Sequence, residues 1–235
     1  MVESQDQTPE RSLMDSVEFA ENPEPRCACL LVLDVSTSMT GEPLRELSKG
    51  LSFFKSCIEE DILASLRAEI GIVTFNHEAS LVHDFTTVDE FNPPALTAAG
   101  GTRISSGINL ALDVIEERKE TYRAHGITYY RPWVWLICDG RPEHDEPGDW
   151  DAARERVKQA ENDSQVNFFT VGVGGAAMDE LDTIGNRRAV KLQGLNFQEM
   201  FAWLSSSMSS VSQSQPSDTV ALSSPDSWAQ GWDSV

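Results

Sequence analysis

The stretch Leu30-Leu31-Val32-Leu33-Asp34-Val35-Ser36-Thr37-Ser38-Met39 decides how this chain is read. Four apolar residues run into a carboxylate, and two serines follow it at spacing two. An apolar run closed by polar turn residues reads as a buried strand. Asp34, Ser36 and Ser38 then stand where the strand ends and a loop begins. In open α/β sheets that is the edge at which ligands bind. A cluster of oxygen donors there suits a hard cation such as Mg²⁺, which takes few carboxylates and keeps several waters. Asp and Ser also form ordinary turns, so the pattern needs support from elsewhere in the chain.

Two segments supply that support. Ala99-Gly100-Gly101-Thr102-Arg103 leads into a stretch whose Ile104, Ile108, Ala111, Leu112 and Ile115 share one helical face. Thr102 either caps that helix or turns its hydroxyl toward a metal. Val134-Trp135-Leu136-Ile137-Cys138-Asp139-Gly140 is a second apolar strand that ends in Asp and then Gly. Three polar loop ends therefore converge at one edge of a parallel sheet. Asp34, Ser36, Ser38, Thr102 and Asp139 make a five-residue oxygen constellation.

Three regions follow along the chain. Residues 1–25 form an acidic arm that closes on Glu21-Asn22-Pro23-Glu24-Pro25. Residues 26–211 alternate strand and helix signals, as a doubly wound α/β domain requires. The expected sheet is mainly parallel, flanked by helices, with one short antiparallel edge strand. Helical stripes are legible at Leu44, Leu47, Leu51, Phe54 and Ile58, at Trp150, Ala153, Val157 and Ala160, and from Phe197 to Val211. Residues 212–235 are Ser-rich, lack Lys and Arg, and read as a flexible tail. Trp228 and Trp232 in that tail either anchor a partner groove or fold back over their own domain.

Charge and cysteine usage narrow the function classes. Eighteen Lys and Arg stand against 38 Asp and Glu, a net charge of −20. Such a field repels phosphate backbones and anionic membranes, so neither nucleic acid nor membrane is expected as a partner. Met1-Val2-Glu3-Ser4-Gln5-Asp6 is polar and has no apolar signal-peptide core. Cys27, Cys29, Cys57 and Cys138 lack zinc-ligand spacing and read as buried thiols of a reducing compartment. A cytoplasmic protein is the expectation.

An enzyme is not. Phosphoryl transfer of the haloacid-dehalogenase kind needs a second Asp two residues after the first, and Ser36 stands there. No phosphate-cradling Gly-x-x-x-x-Gly-Lys loop is present. The alternatives to a binding module are a metal-dependent phosphohydrolase-like enzyme and a metal-free structural scaffold.

Over residues 26–211 the chain resembles the von Willebrand factor A domain. The segments that carry the likeness are Asp34-Val35-Ser36-Thr37-Ser38-Met39-Thr40-Gly41-Glu42-Pro43-Leu44, then Gly100-Gly101-Thr102, then Asp139-Gly140-Arg141-Pro142. Ala111–Lys119 and Gly126–Trp133 look like the TerY-like branch of bacterial tellurite-resistance-type clusters. The resemblance implies a metal-ion-dependent adhesion site. In it Ser36, Ser38 and Thr102 would touch Mg²⁺, with Mn²⁺ or Ca²⁺ as alternatives. Asp34 and Asp139 would act directly or through water, and a partner's Asp or Glu would complete the coordination. Asn76, His77 and Arg103 would select that partner. The resemblance also implies a stress-response setting, with a protein kinase or phosphatase as associate. Thr37, Arg103 and Cys138 depart from the family's usual Gly, Pro and Thr.

Overall fold

Alternation along β1 (Cys27–Asp34) sends its side chains into two separate cores. Cys27, Cys29, Leu31 and Leu33 enter one, and Ala28, Leu30 and Val32 enter the other. Every residue of this strand is buried, which is what an interior parallel strand covered on both faces requires. The computed structural model describes residues 19–142, 144–216, 218 and 220–230.

Around β1 lie β2 (Ala68–Phe75), β3 (Ala79–Thr87), β4 (Trp133–Cys138), β5 (Asn167–Gly172), β6 (Val190–Leu192) and β7 (Ala229–Gln230). They form one sheet in the order β3-β2-β1-β4-β5-β6-β7. The five inner strands run parallel, and β3 and β7 pair antiparallel at the two edges. One face carries α1 (Glu42–Glu59), α2 (Ile62–Arg67) and α6 (Phe197–Ser212). The other carries α3 (Ile104–Ala124), α4 (Pro147–Asn162) and the short α5 (Met178–Leu181). The apolar stripes read from the sequence face these cores. Helices α1 and α6 meet at Gly50, where an added Cβ would stand 2.7 Å from the Phe201 ring. No described helix is long and apolar enough to cross a membrane.

At the end of the sheet where β2 begins, Glu69 is fully buried and accepts from three donors. Arg26 Nε and Arg118 Nε each donate at 2.8 Å, and the Tyr122 hydroxyl donates as well. A buried carboxylate is tolerable only when it is paired and hydrogen-bonded like this. The cluster joins the entry to β1, the start of β2 and the far end of α3.

The second antiparallel edge was not foreseen, and at Trp228 it takes the fold-back alternative that the sequence leaves open. β7 pairs Lys191 with Gln230 and Leu192 with Ala229. Trp228 is fully buried, its ring 5.7 Å from that of Trp203 and 6.3 Å from that of Trp135. The Gln193 amide donates to the Trp228 carbonyl at 2.8 Å, and Trp203 Nε1 donates to the Ser223 carbonyl at 2.9 Å. Trp228 is thus part of the domain's own core and not an exposed partner anchor. Removing so large an apolar surface from water is the physical reason. Trp232 and residues 1–18 of the acidic arm lie outside the described residues.

Truncating this anchor should be expensive. Trp228→Ala is expected to cost about 3–5 kcal/mol, the usual range for an aromatic removed from a core. Urea unfolding followed by far-UV circular dichroism checks it. A loss below about 1 kcal/mol would contradict the packing role.

Candidate metal centre

The strand order reverses between β1 and β4. From β1 the chain moves to β2 on one side, and from β4 it moves to β5 on the other. Loops leaving the C-terminal ends of two such strands part from each other and leave a crevice. Asp34 is the last residue of β1, and Asp139 directly follows the last residue of β4.

Asp34 is held at both carboxylate oxygens. Its Oδ1 accepts the Ser36 amide at 2.8 Å, and its Oδ2 accepts the Cys138 thiol at 3.0 Å. Burial pushes the Cys138 thiol well above its usual range, and the Asp34 charge adds to the effect. The thiol therefore stays protonated and serves as a donor. A Thr hydroxyl at this position could donate in the same way, so the departure at Cys138 preserves the support of Asp34.

The next loop turns through a short 3₁₀ segment, Thr37–Met39, pinned by the buried Met39 side chain. That turn sets Ser38 Oγ 2.9 Å from Ser36 Oγ, and Ser38 donates to Asp139 Oδ1 at 2.7 Å. The departure at Thr37 ties two loops together. Its amide and its hydroxyl both donate to the Gly100 carbonyl, at 3.0 and 2.9 Å.

Thr102 comes from the third loop and is buried. The sequence leaves open whether its hydroxyl caps α3. The structure assigns the cap to Asp145, whose two oxygens accept the Ile104 and Ser105 amides at 2.9 and 3.0 Å. Thr102 packs instead against Gly140, where an added Cβ would stand 3.1 Å from its Oγ1. Its amide donates to His144 Nδ1, and its carbonyl accepts the His144 amide, each at 3.3 Å. The glycine pair is required by its neighbours. A Cβ on Gly100, whose φ is +77°, would fall 2.4 Å from His77 Nδ1, and one on Gly101 would fall 2.4 Å from the His144 ring.

All five oxygen-bearing residues are thus brought to one crevice. The partner-selecting residues are placed more variously. Asn76 is half-buried and works in its own turn, its Oδ1 accepting the Glu78 amide at 3.0 Å and its carbonyl accepting the Arg103 amide at 2.7 Å. His77 is exposed beside Gly100, and Arg103 sends its Nε to the His144 carbonyl at 3.3 Å. Trp228 lies in the core on the β6 side, away from the crevice. His144 and Asp145 were missed. Their contacts lie about 40 residues away in sequence, and only the meeting of two loops reveals them.

The donor set fits a hard divalent cation. It consists of two carboxylates and three hydroxyls, with no nitrogen and no thiolate. Among the described residues, no three His, Cys, Asp or Glu side chains cluster to hold a metal, so any cation here depends on the hydroxyls. Asp139 is half-buried, and burial pushes its carboxyl above the usual range. The Ser38 hydrogen bond opposes that rise, and the Asp34 charge adds to it. No Lys or Arg among the described residues forms an ion pair with either Asp. The pair is short of positive charge, which a divalent ion would supply.

The family profile described as von Willebrand factor type A domain matches residues 30–201. The chain belongs to the von Willebrand factor type A (VWA) domain family. Domains of this family generally serve adhesion and interaction, commonly through a metal-ion-dependent adhesion site. No curated protein sequence matches the chain. Among solved structures, a von Willebrand factor type A protein from Catenulispora acidiphila superposes with a TM-score of 0.56 at 16% identity, covering 79% of this chain and 43% of that one. The pilus adhesin SpaC from Lactobacillus rhamnosus GG, in its open conformation, gives 0.62 at 13% identity, covering 80% and 30%. The mussel byssus proximal thread matrix protein 1 with a zinc-occupied MIDAS motif gives 0.51 at 14% identity, covering 79% and 48%. This chain spans less than half the length of each. At such identities the likeness carries the fold alone.

The strain at Asp139 makes a two-sided prediction for this VWA domain. A carboxyl with a raised folded-state pKa weakens folding as pH rises through that pKa, so at neutral pH its charge is a burden on the metal-free protein. Asp139→Asn should therefore raise the Tm of metal-free protein, since the amide oxygen still accepts from Ser38. The same change should abolish the rise that Mg²⁺ causes in the wild type, roughly 5–10 °C at a hundredfold its Kd. Differential scanning calorimetry with and without chelator reads both; an equal Mg²⁺ shift in the two proteins would contradict the assignment of Asp139.

Proposed function

We propose that this VWA domain is an adaptor that binds a partner protein through a divalent cation. Asp34, Ser36, Ser38, Thr102 and Asp139 hold the ion, and an Asp or Glu of the partner completes its coordination. The observation that carries this reading is the convergence of five oxygen-bearing residues from three loops at the strand-order reversal, with no basic side chain among the described residues paired to the two carboxylates. When bound, the cation supplies an electrophilic position. Two protein carboxylates balance a divalent charge, so a third one is not strongly opposed. Neutral hydroxyls make up the rest of the set and leave the ion able to attract an outside anion.

Mg²⁺ is the proposed ion, because an all-oxygen set with room for water is what it prefers. The TerY-like likeness of Ala111–Lys119 and Gly126–Trp133 supports the setting: a bacterial tellurite-resistance-type stress response in the cytoplasm, with an associated protein kinase or phosphatase as partner. That setting rests on the resemblance alone. Parts of both segments serve packing, as Arg118 does on Glu69, and Tyr130, whose hydroxyl donates to the Ser214 carbonyl at 2.6 Å.

Affinity capture from the native lysate separates the adaptor from its alternatives. Tagged wild type in Mg²⁺ should retain a partner that is lost in chelator and lost with Asp139→Ala. Exchanging the partner's contacting Asp or Glu for its amide should abolish retention. Equal capture in all three conditions would move binding to another face and leave the crevice as a structural turn cluster. Recovery of a kinase or phosphatase would support the proposed setting, and its absence from a metal-dependent catch would remove it.

A further inference from the structure

Arg103 and Arg141 are set apart from most basic side chains of this acidic chain. Arg26, Arg67, Arg118, Lys119, Arg156 and Arg187 each lie within ion-pair distance of a carboxylate. Among the described residues Arg103 and Arg141 make no ion pair. Both adjoin the metal crevice. Arg103 follows Thr102, and Arg141 follows Gly140, the two residues whose packing joins the Gly-Gly loop to the β4 loop. Arg141 is exposed, and Arg103 is half-exposed. Among the described residues only the Nε of Arg103 is engaged, on the His144 carbonyl, which leaves its Nη groups as donors. Asp145, on the same loop, is already committed to the first turn of α3.

We infer that this rim reads a second acidic residue next to the one that reaches the metal, so that the partner presents a paired acidic motif. The inference rests on the metal-bridged reading above and deepens it. Charge accounting favours two acids over one. A divalent ion would neutralise Asp34 and Asp139, and the guanidinium groups of Arg103 and Arg141 then stand beside the crevice as donors for further carboxylates. In a chain of net charge −20, an acidic partner is repelled at long range, and these arginines supply the local attraction. Planar guanidinium groups suit carboxylates through paired N–H donors, which a lysine could not reproduce. Arg103 stands where the family usually has Pro, so the second contact is a property of this chain rather than of the fold.

Fluorescence anisotropy with three fluorescein-labelled peptides tests this: Gly-Ser-Glu-Glu-Ser-Gly, Gly-Ser-Glu-Gln-Ser-Gly and Gly-Ser-Gln-Gln-Ser-Gly, each in Mg²⁺ and in chelator. The two-acid peptide is expected to bind about fivefold more tightly than the one-acid peptide, the gain an exposed ion pair can give. The diamide should not bind. Arg103→Gln/Arg141→Gln should erase the fivefold gain, so that the two-acid and one-acid peptides bind alike, while the Mg²⁺ thermal shift persists. The gain should also shrink with added salt, because the contact is exposed. Metal-dependent binding of both acidic peptides with equal affinity would overturn the inference and leave the adaptor intact. So would a gain that survives in the double variant. Binding of neither acidic peptide in Mg²⁺, or binding that ignores chelator, would sink the adaptor reading and the inference together.

Discussion

Everything at the crevice depends on β1 being paired in parallel on both sides. With β2 on one flank and β4 on the other, its C-terminal end is held by two ladders and cannot drift. The connections that leave β1 and β4 run to opposite ends of the sheet, so no helix can cover the gap between their tips. A buried strand end beside an uncovered gap places Asp34 where it is rigid and reachable at once. The remaining groups are then positioned by short local bonds: Ser36 on Asp34, Ser38 on Asp139, Thr37 on Gly100, and Cys138 behind Asp34.

Much of this was legible in the sequence, for definite reasons. The apolar runs ending in Asp34 and Asp139 are strong signals because interior parallel strands are buried on both faces and so lack polar alternation. The stripes at Leu47, Leu51, Phe54 and Ile58, and at Ile104, Ile108, Ala111 and Ile115, carry the helical period plainly. What escaped is what long-range packing decides. Asp145 takes the cap of α3 that local rules offer to Thr102, and this frees the Thr102 hydroxyl from that role. His144 lies against Gly101, so the glycine pair answers to a side chain more than forty residues away.

The tail shows the same limit from the other side. Its composition is that of a solvated segment, and composition outweighs two tryptophans when residues are counted. Energetically the order is reversed, because one indole buried against Trp203 and Trp135 ties the segment around it to the core. The strap lies beyond the matched span of the family, which ends at residue 201. At the end of the sheet where β2 begins, the Glu69 cluster closes the domain with charge instead of apolar surface. The Trp228 segment and the Glu69 cluster stabilise the scaffold, while the crevice carries Asp139, whose burial opposes its charge. Such a division is expected where function requires a locally unfavourable arrangement.

A divalent cation held by Asp34, Ser36, Ser38, Thr102 and Asp139 should be visible in crystals grown in Mn²⁺ and measured near the manganese absorption edge. One strong anomalous peak is expected in the crevice between the ends of β1 and β4, about 2.0–2.2 Å from the coordinating oxygens. A map with no peak there, or with manganese bound only elsewhere on the chain, would contradict it.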